Sequence, residues 1–344
     1  MGQINGKKSR REPEITVIRP ATTKVSSEPL VASLPYQTVD LKEVEVWRGQ
    51  LDREGYTVVA GVAEQQEVEH ARSLLWSWLD DRQTAIRESD QALDTTAVWP
   101  DWPRPPHPPF GFLRSEGAAQ QPAAWYLRGL PRLKSVFSQL WGTEDLLVSM
   151  DCFVVWRPWG DQPARRPRSL ALHTDQNPVG MPGFHCWQGM LPLYPVDGEV
   201  GGTAVVPGSH AQEAALLARN PDWGRNPGRN FCLLGATDPL QGQARLVPLH
   251  PGDLLLWDSR LVHASTVGPG TSTTPGHLAR ASLCVCFGPR DKADPAVLAV
   301  RQTAITEGWG FSHWPWKVNS NPTGQFTDCN RFQMDLTEEQ KQLI

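Results

Sequence analysis

The segment Ser169-Leu170-Ala171-Leu172-His173-Thr174-Asp175 places two potential metal ligands on what its apolar residues predict to be a β-strand. Positions two apart on a strand point to the same face, so the side chains of His173 and Asp175 can reach one ion. A second segment, residues 251–263, begins with a Pro-Gly turn, continues as an apolar run and ends at His263. Two imidazoles and one carboxylate are the ligands that non-haem Fe(II) oxygenases use. The sequence therefore predicts a metal site made by these three residues.

A His-x-Asp triplet alone is a weak motif in a chain with nine histidines. Two further segments strengthen it: Val206-Pro207-Gly208-Ser209-His210, between the ligand segments, and the strand-like residues 278–287 that follow them. With these ordered motifs, the chain resembles the phytanoyl-CoA dioxygenase family from about residue 51 to residue 290. The resemblance implies a double-stranded β-helix, or jelly roll, that binds Fe(II) and 2-oxoglutarate and uses O2 to hydroxylate an unactivated C–H bond.

The resemblance also implies an anchor for the co-substrate. Arg280 looks like the family's 2-oxoglutarate anchor, because a planar guanidinium grips a carboxylate through two parallel hydrogen bonds. Alternation along a strand puts Ser282 on the same face, where its hydroxyl can donate to the same carboxylate. A Gly/Thr/Pro-rich insert at 268–276 makes the stretch before Arg280 longer than we expect of the family. Arg260 therefore stays open as a rival anchor.

Three more residues are assigned near the co-substrate or the substrate. Arg157 occupies the place where the family often carries a lysine near the other end of 2-oxoglutarate. Trp187 is expected to line the barrel, and Gln188, which faces the opposite way, is expected to touch co-substrate or substrate. The carboxylate of Asp175 favours hydroxylation over halogenation, because related halogenases replace it with a small residue.

The remaining histidines are predicted to have structural roles. His210 lies in a Pro-Gly-Ser-His turn, where it is expected to brace the loop and not to bind metal. A histidine outside a motif is more often a core or surface residue than a ligand. This interpretation applies to His70, His107, His185, His250, His277 and His313.

From about residue 146 to 290, short apolar strands alternate with Gly/Pro-containing turns, which is typical of an all-β roll. The predicted fold class is therefore mainly β, a jelly roll with flanking α-helices. Helices are expected after the strand near Gly55, from Pro131 to Gly142, and after the N-caps Asp294 and Thr337. Residues 1–40 are polar and predicted to be a disordered tail, and residues 41–344 are predicted to form a single oxygenase domain.

Composition agrees with a soluble enzyme. The chain has 344 residues, 40% hydrophobic and 20% charged, with a formal net charge of −4, which shows no bias toward nucleic acid. No apolar run approaches the length of a membrane span. The six cysteines lack paired C-x-x-C spacing, which predicts free buried thiols in a reducing, cytoplasmic compartment. The oligomeric state is left open.

The sequence leaves the substrate and two alternatives open. Three arginines at positions 165, 166 and 168 are compatible with an acyl-linked, phosphate-bearing substrate, but a solvated loop explains them as well. The main alternative to a hydroxylase is a non-catalytic jelly roll that binds a metal or a ligand. A third alternative is an enzyme acting on a protein or a nucleic acid, although no basic, aromatic-interleaved groove is present.

Overall fold

The structure is a computed structural model that describes residues 31–89, 110–113, 117–159, 166–270, 278–318 and 335–344. Its α-helices are α1 (Val44–Glu54), α2 (Gln65–Ser89), α3 (Pro122–Arg128), α4 (Pro131–Trp141), α5 (Glu213–Arg219), α6 (Pro295–Glu307) and α7 (Glu338–Lys341). Its strands are β1 (Val39–Asp40), β2 (Tyr56–Ala60), β3 (Phe112–Leu113), β4 (Leu146–Val148), β5 (Phe153–Trp156), β6 (Leu170–Thr174), β7 (Trp187–Pro192), β8 (Gly201–Val205), β9 (Cys232–Leu233), β10 (Arg245–Leu246), β11 (Leu254–Asp258), β12 (His263–Val267), β13 (Arg280–Val285) and β14 (Phe287–Pro289).

Two sheets form the core. The larger has the order β1-β2-β11-β7-β13-β5-β3, and the smaller has the order β10-β8-β12-β6-β9. All neighbours are antiparallel except β1 and β2, which are parallel. Strand β11 lies inside the larger sheet, and all five of its residues are buried, so both of its faces are covered.

The chain passes back and forth between the two sheets. Strands β5, β7, β11 and β13 lie in the larger sheet, whereas β6, β8, β10 and β12 lie in the smaller one. Buried side chains from both sheets, such as Met190 and Val205, belong to one apolar cluster between them. Four strands from each sheet around one interior make a jelly roll, so the predicted fold is confirmed.

The helices pack outside the roll, and their ends follow the predicted signals. Helix α4 has Pro131 in its first turn and ends at Gly142, which adopts the left-handed conformation at φ 70°. Asp294 caps α6 by accepting the N–H of Ala296, and Thr337 forms a capping box with Gln340 at α7. Among the helices that the structure describes, none is both long and apolar enough to cross a membrane.

The described part of the chain begins at residue 31, and residues 31–40 contact both sheets. Ser33 forms a parallel bridge with Leu246 of β10, and the N–H of Leu34 donates to the carbonyl of Leu246 at 2.8 Å. Strand β1 then pairs with β2. These contacts use main-chain groups at sheet edges, which need no apolar pattern in the sequence, and the domain boundary near residue 41 stays a prediction. Residues 1–30 lie outside the described part.

Two buried charged residues organise the chain around the roll. Arg301 of α6 is fully buried and donates to main-chain carbonyls of Val148, Pro315, Leu343 and Ile344 at 2.7–2.9 Å. Its guanidinium therefore joins four positions on three separate segments.

The second of these residues is Asp238, whose side chain is 1% exposed. It accepts bonds from the Leu240 N–H, Arg219 and Asn220 at 3.0–3.1 Å. Burial alone would raise the pKa of Asp238, but these three donors outweigh burial and lower it.

The described cysteines are free thiols, as predicted. Burial raises the pKa of Cys232 to about 11. The pKa of Cys284 is raised mainly by a hydrogen bond with Cys152, and that of Cys286 mainly by burial. With their pKa raised, these thiols stay protonated at neutral pH. They are therefore unreactive, because only the thiolate is a nucleophile. Cys329 lies outside the described residues.

Candidate metal and co-substrate site

The three predicted metal ligands come together where β6 meets β12. His173 near the end of β6 is directly opposite His263, the first residue of β12, and their ring centroids are 4.2 Å apart. Asp175 follows β6 directly, and its carboxylate oxygens lie 3.7 Å from His173 Nε2 and 3.4 Å from His263 Nε2. One ligand atom from each residue lies within 4.8 Å of the others. This is a compact, largely buried set of two imidazoles and one carboxylate.

Main-chain carbonyls fix both imidazole rings. His173 Nδ1 lies 2.7 Å from the carbonyl of Ala171, and His263 Nδ1 lies 2.9 Å from that of Leu261. In each ring we therefore place the hydrogen on Nδ1, which donates it to the carbonyl oxygen. This leaves a lone pair on Nε2. Burial lowers the pKa of His173 to about 4, so this ring is neutral at pH 7. The lone pairs of the two Nε2 atoms and the Asp175 carboxylate therefore point toward one position. Such a set of ligand atoms is suited to bind a metal cation.

Gln188 of β7 holds the third ligand. Its Nε2 donates to Asp175 Oδ2 at 2.9 Å, and its own Oε1 is buried without a partner among the described residues. Burial raises the pKa of Asp175, but interactions with His263 and His173 outweigh it and hold that pKa well below its ordinary value. The carboxylate is therefore ionised. The sequence placed Gln188 on the cavity side of β7 but did not indicate that Asp175 is its partner.

A cavity of about 470 Å³ opens on the three ligands. Both sheets contribute to its walls, with aromatic side chains including Phe112, Phe231 and Trp257. Several polar side chains that line it have a buried nitrogen or oxygen without a partner in the described part of the chain: Gln188 Oε1, Trp257 Nε1, Arg280 Nε and His313 Nε2. Buried polar atoms are rarely left unpaired, so their concentration here fits a site that binds polar ligands.

Arg280 lines this cavity at the start of β13. It is 1% exposed, and its guanidinium donates to Ser265 Oγ at 3.1 Å and to Thr203 Oγ1 at 3.2 Å. The guanidinium carbon also lies 4.6 Å from the ring centre of Trp156. Burial lowers the pKa of Arg280 to about 10, so it remains charged at pH 7. No carboxylate among the described residues pairs with it.

The rival Arg260 is engaged elsewhere. It lies in the turn between β11 and β12, where Nε and a terminal nitrogen bind the two oxygens of Asp258 at 3.0 and 2.6 Å. Arg260 does not line the cavity. The sequence treated residues 251–263 as one strand, but the structure inserts a turn at 259–262, which lets Arg260 fold back on Asp258.

The other assigned residues differ in position. Ser282 is fully buried on the same strand as Arg280, and its Oγ has no partner in the described part. Arg157 lies just after β5, is half-buried and is not among the residues that line the cavity. Trp187 was expected in the barrel wall, but alternation along β7 turns it outward, 4.3 Å from the ring of Phe184. The assignments of Ser282 and Arg157 stay predictions.

Of the three arginines that precede β6, the two that the structure describes do not line the cavity. Arg166 donates to the main-chain carbonyls of Val267 and Gly268 at 3.0 and 3.2 Å, which ties it to the end of β12. Arg168 is exposed, and Arg165 lies outside the described residues.

Sequence reasoning missed two polar residues of the cavity. His313 was placed among the structural histidines, yet it lines the cavity, and burial lowers its pKa. Asp151, which was given no role, also lines the cavity and is 8% exposed. His313 follows His263 by 50 residues in a segment without regular structure, so neither spacing nor periodicity singled it out. By contrast, His210 binds the carbonyl of Asp52 at 3.1 Å, as expected of a brace.

Comparison with known proteins shows which family the chain belongs to. A model of the phytanoyl-CoA dioxygenase family matches residues 51–267, well over half of the chain. The chain is also 24% identical over 332 residues to "Ava biosynthesis cluster protein O" of Aspergillus versicolor, which covers 86% of this chain and 94% of that protein.

Two solved structures share a distant likeness. EctD from S. alaskensis with 2-oxoglutarate and 5-hydroxyectoine is 17% identical, covering 80% of this chain and 87% of its own, with a TM-score of 0.48. The epimerase SnoN in complex with Fe3+, alpha ketoglutarate and nogalamycin RO is 18% identical, covering 72% and 84%, with a TM-score of 0.46. At TM-scores below 0.5, neither likeness bears on the site.

Proposed function

Because the chain belongs to the phytanoyl-CoA dioxygenase family of non-haem Fe(II)/2-oxoglutarate oxygenases, we propose that it hydroxylates an unactivated C–H bond of a small molecule. Fe(II) is the metal of this oxidoreductase, 2-oxoglutarate its co-substrate and O2 its oxidant. In the proposed reaction one oxygen atom of O2 enters the substrate C–H bond. The other enters succinate, which is formed with CO2 from 2-oxoglutarate.

The observation that carries the proposal is the convergence of His173, Asp175 and His263 at the cavity. In this role the two Nε2 atoms and one carboxylate oxygen hold the metal, and Gln188 orients the carboxylate. Three ligands on one side of a metal leave open positions for 2-oxoglutarate and O2. When bound, Fe(II) supplies the oxidising chemistry, and the chain supplies binding, orientation and a water-poor cavity.

Arg280 is proposed as the anchor of the distal carboxylate of 2-oxoglutarate. A buried guanidinium without an anionic partner is unfavourable, and a carboxylate that pairs with it removes that penalty. The hydroxyls of Thr203 and Ser265 hold the guanidinium from one side, and the ring of Trp156 lies against it. Ser282 Oγ, buried without a described partner, is proposed as an additional donor to the co-substrate.

The proposal favours a hydroxylase over a metal-binding protein without activity. A structural zinc site is closed by a fourth protein ligand, whereas the described His, Cys, Asp and Glu residues supply a group of three here, and a cavity opens on it. The carboxylate of Asp175 also argues against halogenation, because it occupies the position that a halide would need.

A spectroscopic titration tests the proposal. Adding 2-oxoglutarate to anaerobic protein loaded with Fe(II) is expected to produce the weak visible charge-transfer band of a bidentate keto-acid chelate. The matched controls are Asp175→Ala, which should lose the band, and Asp222→Ala, which removes an exposed carboxylate and should keep it. Bound Fe(II) without a band in the wild type contradicts the proposal. Once a substrate is found, product formed under 18O2 must carry one labelled oxygen, and an unlabelled product excludes hydroxylation.

A further inference from the structure

Asp151 is a buried carboxylate of the cavity wall that the proposed metal and co-substrate chemistry does not use. It lies between β4 and β5, and its Oδ1 accepts the N–H of Cys152 at 2.8 Å. Among the described residues, no group donates to its Oδ2. Oδ2 is not among the fully buried side-chain atoms that lack a partner, so it is open to the cavity, where a ligand that donates a hydrogen bond can reach it.

A positive charge already lies next to Asp151, whereas no described donor binds its Oδ2. The fully buried guanidinium of Arg128 donates to the main-chain carbonyls of Ala119 and Asp151 at 2.6 and 2.8 Å, and it makes no bond to the carboxylate oxygens. Arg128 therefore supplies a counter-charge from behind and leaves Oδ2 open. A neutral donor completes this arrangement, whereas a ligand cation would add a positive charge beside Arg128.

The position of Asp151 assigns it to the substrate and not to 2-oxoglutarate. Trp156 is opposite Arg280 across β5 and β13, and Asp151 precedes Trp156 by five residues. At about 3.3 Å per strand residue, the two ends of β5, Phe153 and Trp156, are roughly 10 Å apart, and Asp151 precedes Phe153 by two further residues. A short dicarboxylate bound at Arg280 and at the metal ligands does not reach this end of the cavity, so the end is left to the second organic reactant.

His313 adds a second polar atom at the same end. Its ring lies 4.5 Å from that of Trp314, and its Nε2 is buried without a described partner. His313 and Asp151 line the same cavity as the three metal ligands proposed above. A carboxylate accepts hydrogen bonds only, whereas a neutral imidazole can donate one, and a hydroxyl group satisfies both because it donates and accepts.

We propose that Asp151 and His313 form a subsite for a hydroxyl group of the substrate, so that the substrate is an alcohol or phenol on an apolar body. The hydroxyl donates to Asp151 Oδ2 and accepts from His313, while the aromatic walls around Phe112, Phe231 and Trp257 contact the apolar part. This deepens the proposed function and rests on it, because it assumes that the remaining cavity serves the metal and 2-oxoglutarate.

Matched probes test the subsite without knowledge of the substrate. The dissociation constants of 2-phenylethanol, its methyl ether and 2-phenylethylamine are measured by ligand-observed NMR on the full chain, with and without Zn(II) and 2-oxoglutarate. We expect the alcohol to bind about ten- to hundredfold more tightly than the ether, as a hydrogen bond to a charged group allows. A tighter amine, or an ether that binds as well as the alcohol, overturns the proposal.

Variants attribute the preference to the two residues. Asp151→Leu should abolish the preference for the alcohol over the ether, Asp151→Asn should restore part of it, and His313→Phe should reduce it. Asp222→Leu, which removes an exposed carboxylate, should leave it unchanged. An unchanged preference in Asp151→Leu refutes the subsite. If that variant does not fold, the wild-type ranking and His313→Phe still decide. The charge-transfer band of the iron chelate is measured separately. If the band is absent, the proposed function is refuted, whereas the result with the probes still stands.

Discussion

Replacing Arg280 by methionine separates its proposed role as an anchor from a structural role. Methionine keeps much of the length but removes a buried charge that has no anionic partner among the described residues. Truncating one member of a buried charge pair costs about 2–5 kcal/mol of binding free energy. At 1.4 kcal/mol per tenfold, Arg280→Met should raise the dissociation constant of 2-oxoglutarate about thirtyfold to several thousandfold. The affinity for Fe(II) should not change.

The assay is an anaerobic titration of the chelate band with 2-oxoglutarate at saturating Fe(II). Arg280→Lys should fall between the wild type and Arg280→Met, because lysine keeps the charge but loses the fork of parallel donors. Without 2-oxoglutarate, the free energy of unfolding of Arg280→Met should stay near that of the wild type, because the lost hydrogen bonds are offset by relief of the cost of burying a charge without an anionic partner.

Arg260→Met is the matched control. It should change the stability of the protein and not its affinity for 2-oxoglutarate, the opposite of what we expect for Arg280→Met. It should bind 2-oxoglutarate as the wild type does but lose about 1–3 kcal/mol of stability, because Asp258, with a side chain 1% exposed, then lacks its partner. Normal 2-oxoglutarate affinity in Arg280→Met, together with lost affinity in Arg260→Met, would refute the assignment and move the anchor to the turn.

Three further predictions follow from contacts described above. Gln188→Leu should weaken Mn(II) binding, measured by electron paramagnetic resonance, about ten- to hundredfold through loss of its bond to Asp175, and Trp187→Phe should not; equal affinities would remove Gln188 from the site. The lowered pKa of Asp238 means that its ionised form stabilises the fold above the unfolded pKa of about 4, so urea unfolding should show Asp238→Asn less stable by about 1–3 kcal/mol at pH 7. That gap should shrink as the pH falls below about 4, and a gap independent of pH would contradict the reasoning. Iodoacetamide at pH 8 should alkylate the described cysteines of native protein far more slowly than those of urea-unfolded protein, as followed by mass spectrometry; equal rates would show that the thiols are accessible.

The sequence predicted the elements whose signals are local. His173 and Asp175 share a strand, and their alternation is a property of any strand. Helix α4 was bounded by Pro131 and Gly142, which act on their own turns. The pairing of His173 with His263 came from ordered motifs, since no local signal sets the register between strands 90 residues apart.

Long-range contacts account for what the sequence did not show. The bond from Gln188 to Asp175 depends on how β7 faces the loop after β6, which periodicity does not encode. Arg260 was weighed as though it lay on a strand, but the turn at 259–262 redirects it to Asp258. His313 reaches the cavity from a segment without regular structure, where a histidine carries no pattern that distinguishes a wall of a cavity from a surface.

Arg301 has a consequence for how substrate range can change in descendants of this protein. Its guanidinium holds the backbone at Pro315, two residues after His313, through a carbonyl that every residue type possesses. The path of this wall is therefore independent of the side chains at positions 312 and 313. Substitutions there can alter which molecules are accepted while the proposed iron ligands, which lie on or next to β6 and β12, keep their positions. Such a division lets selectivity drift through single mutations without a loss of the oxidising chemistry, and it makes these two positions the natural targets of directed evolution.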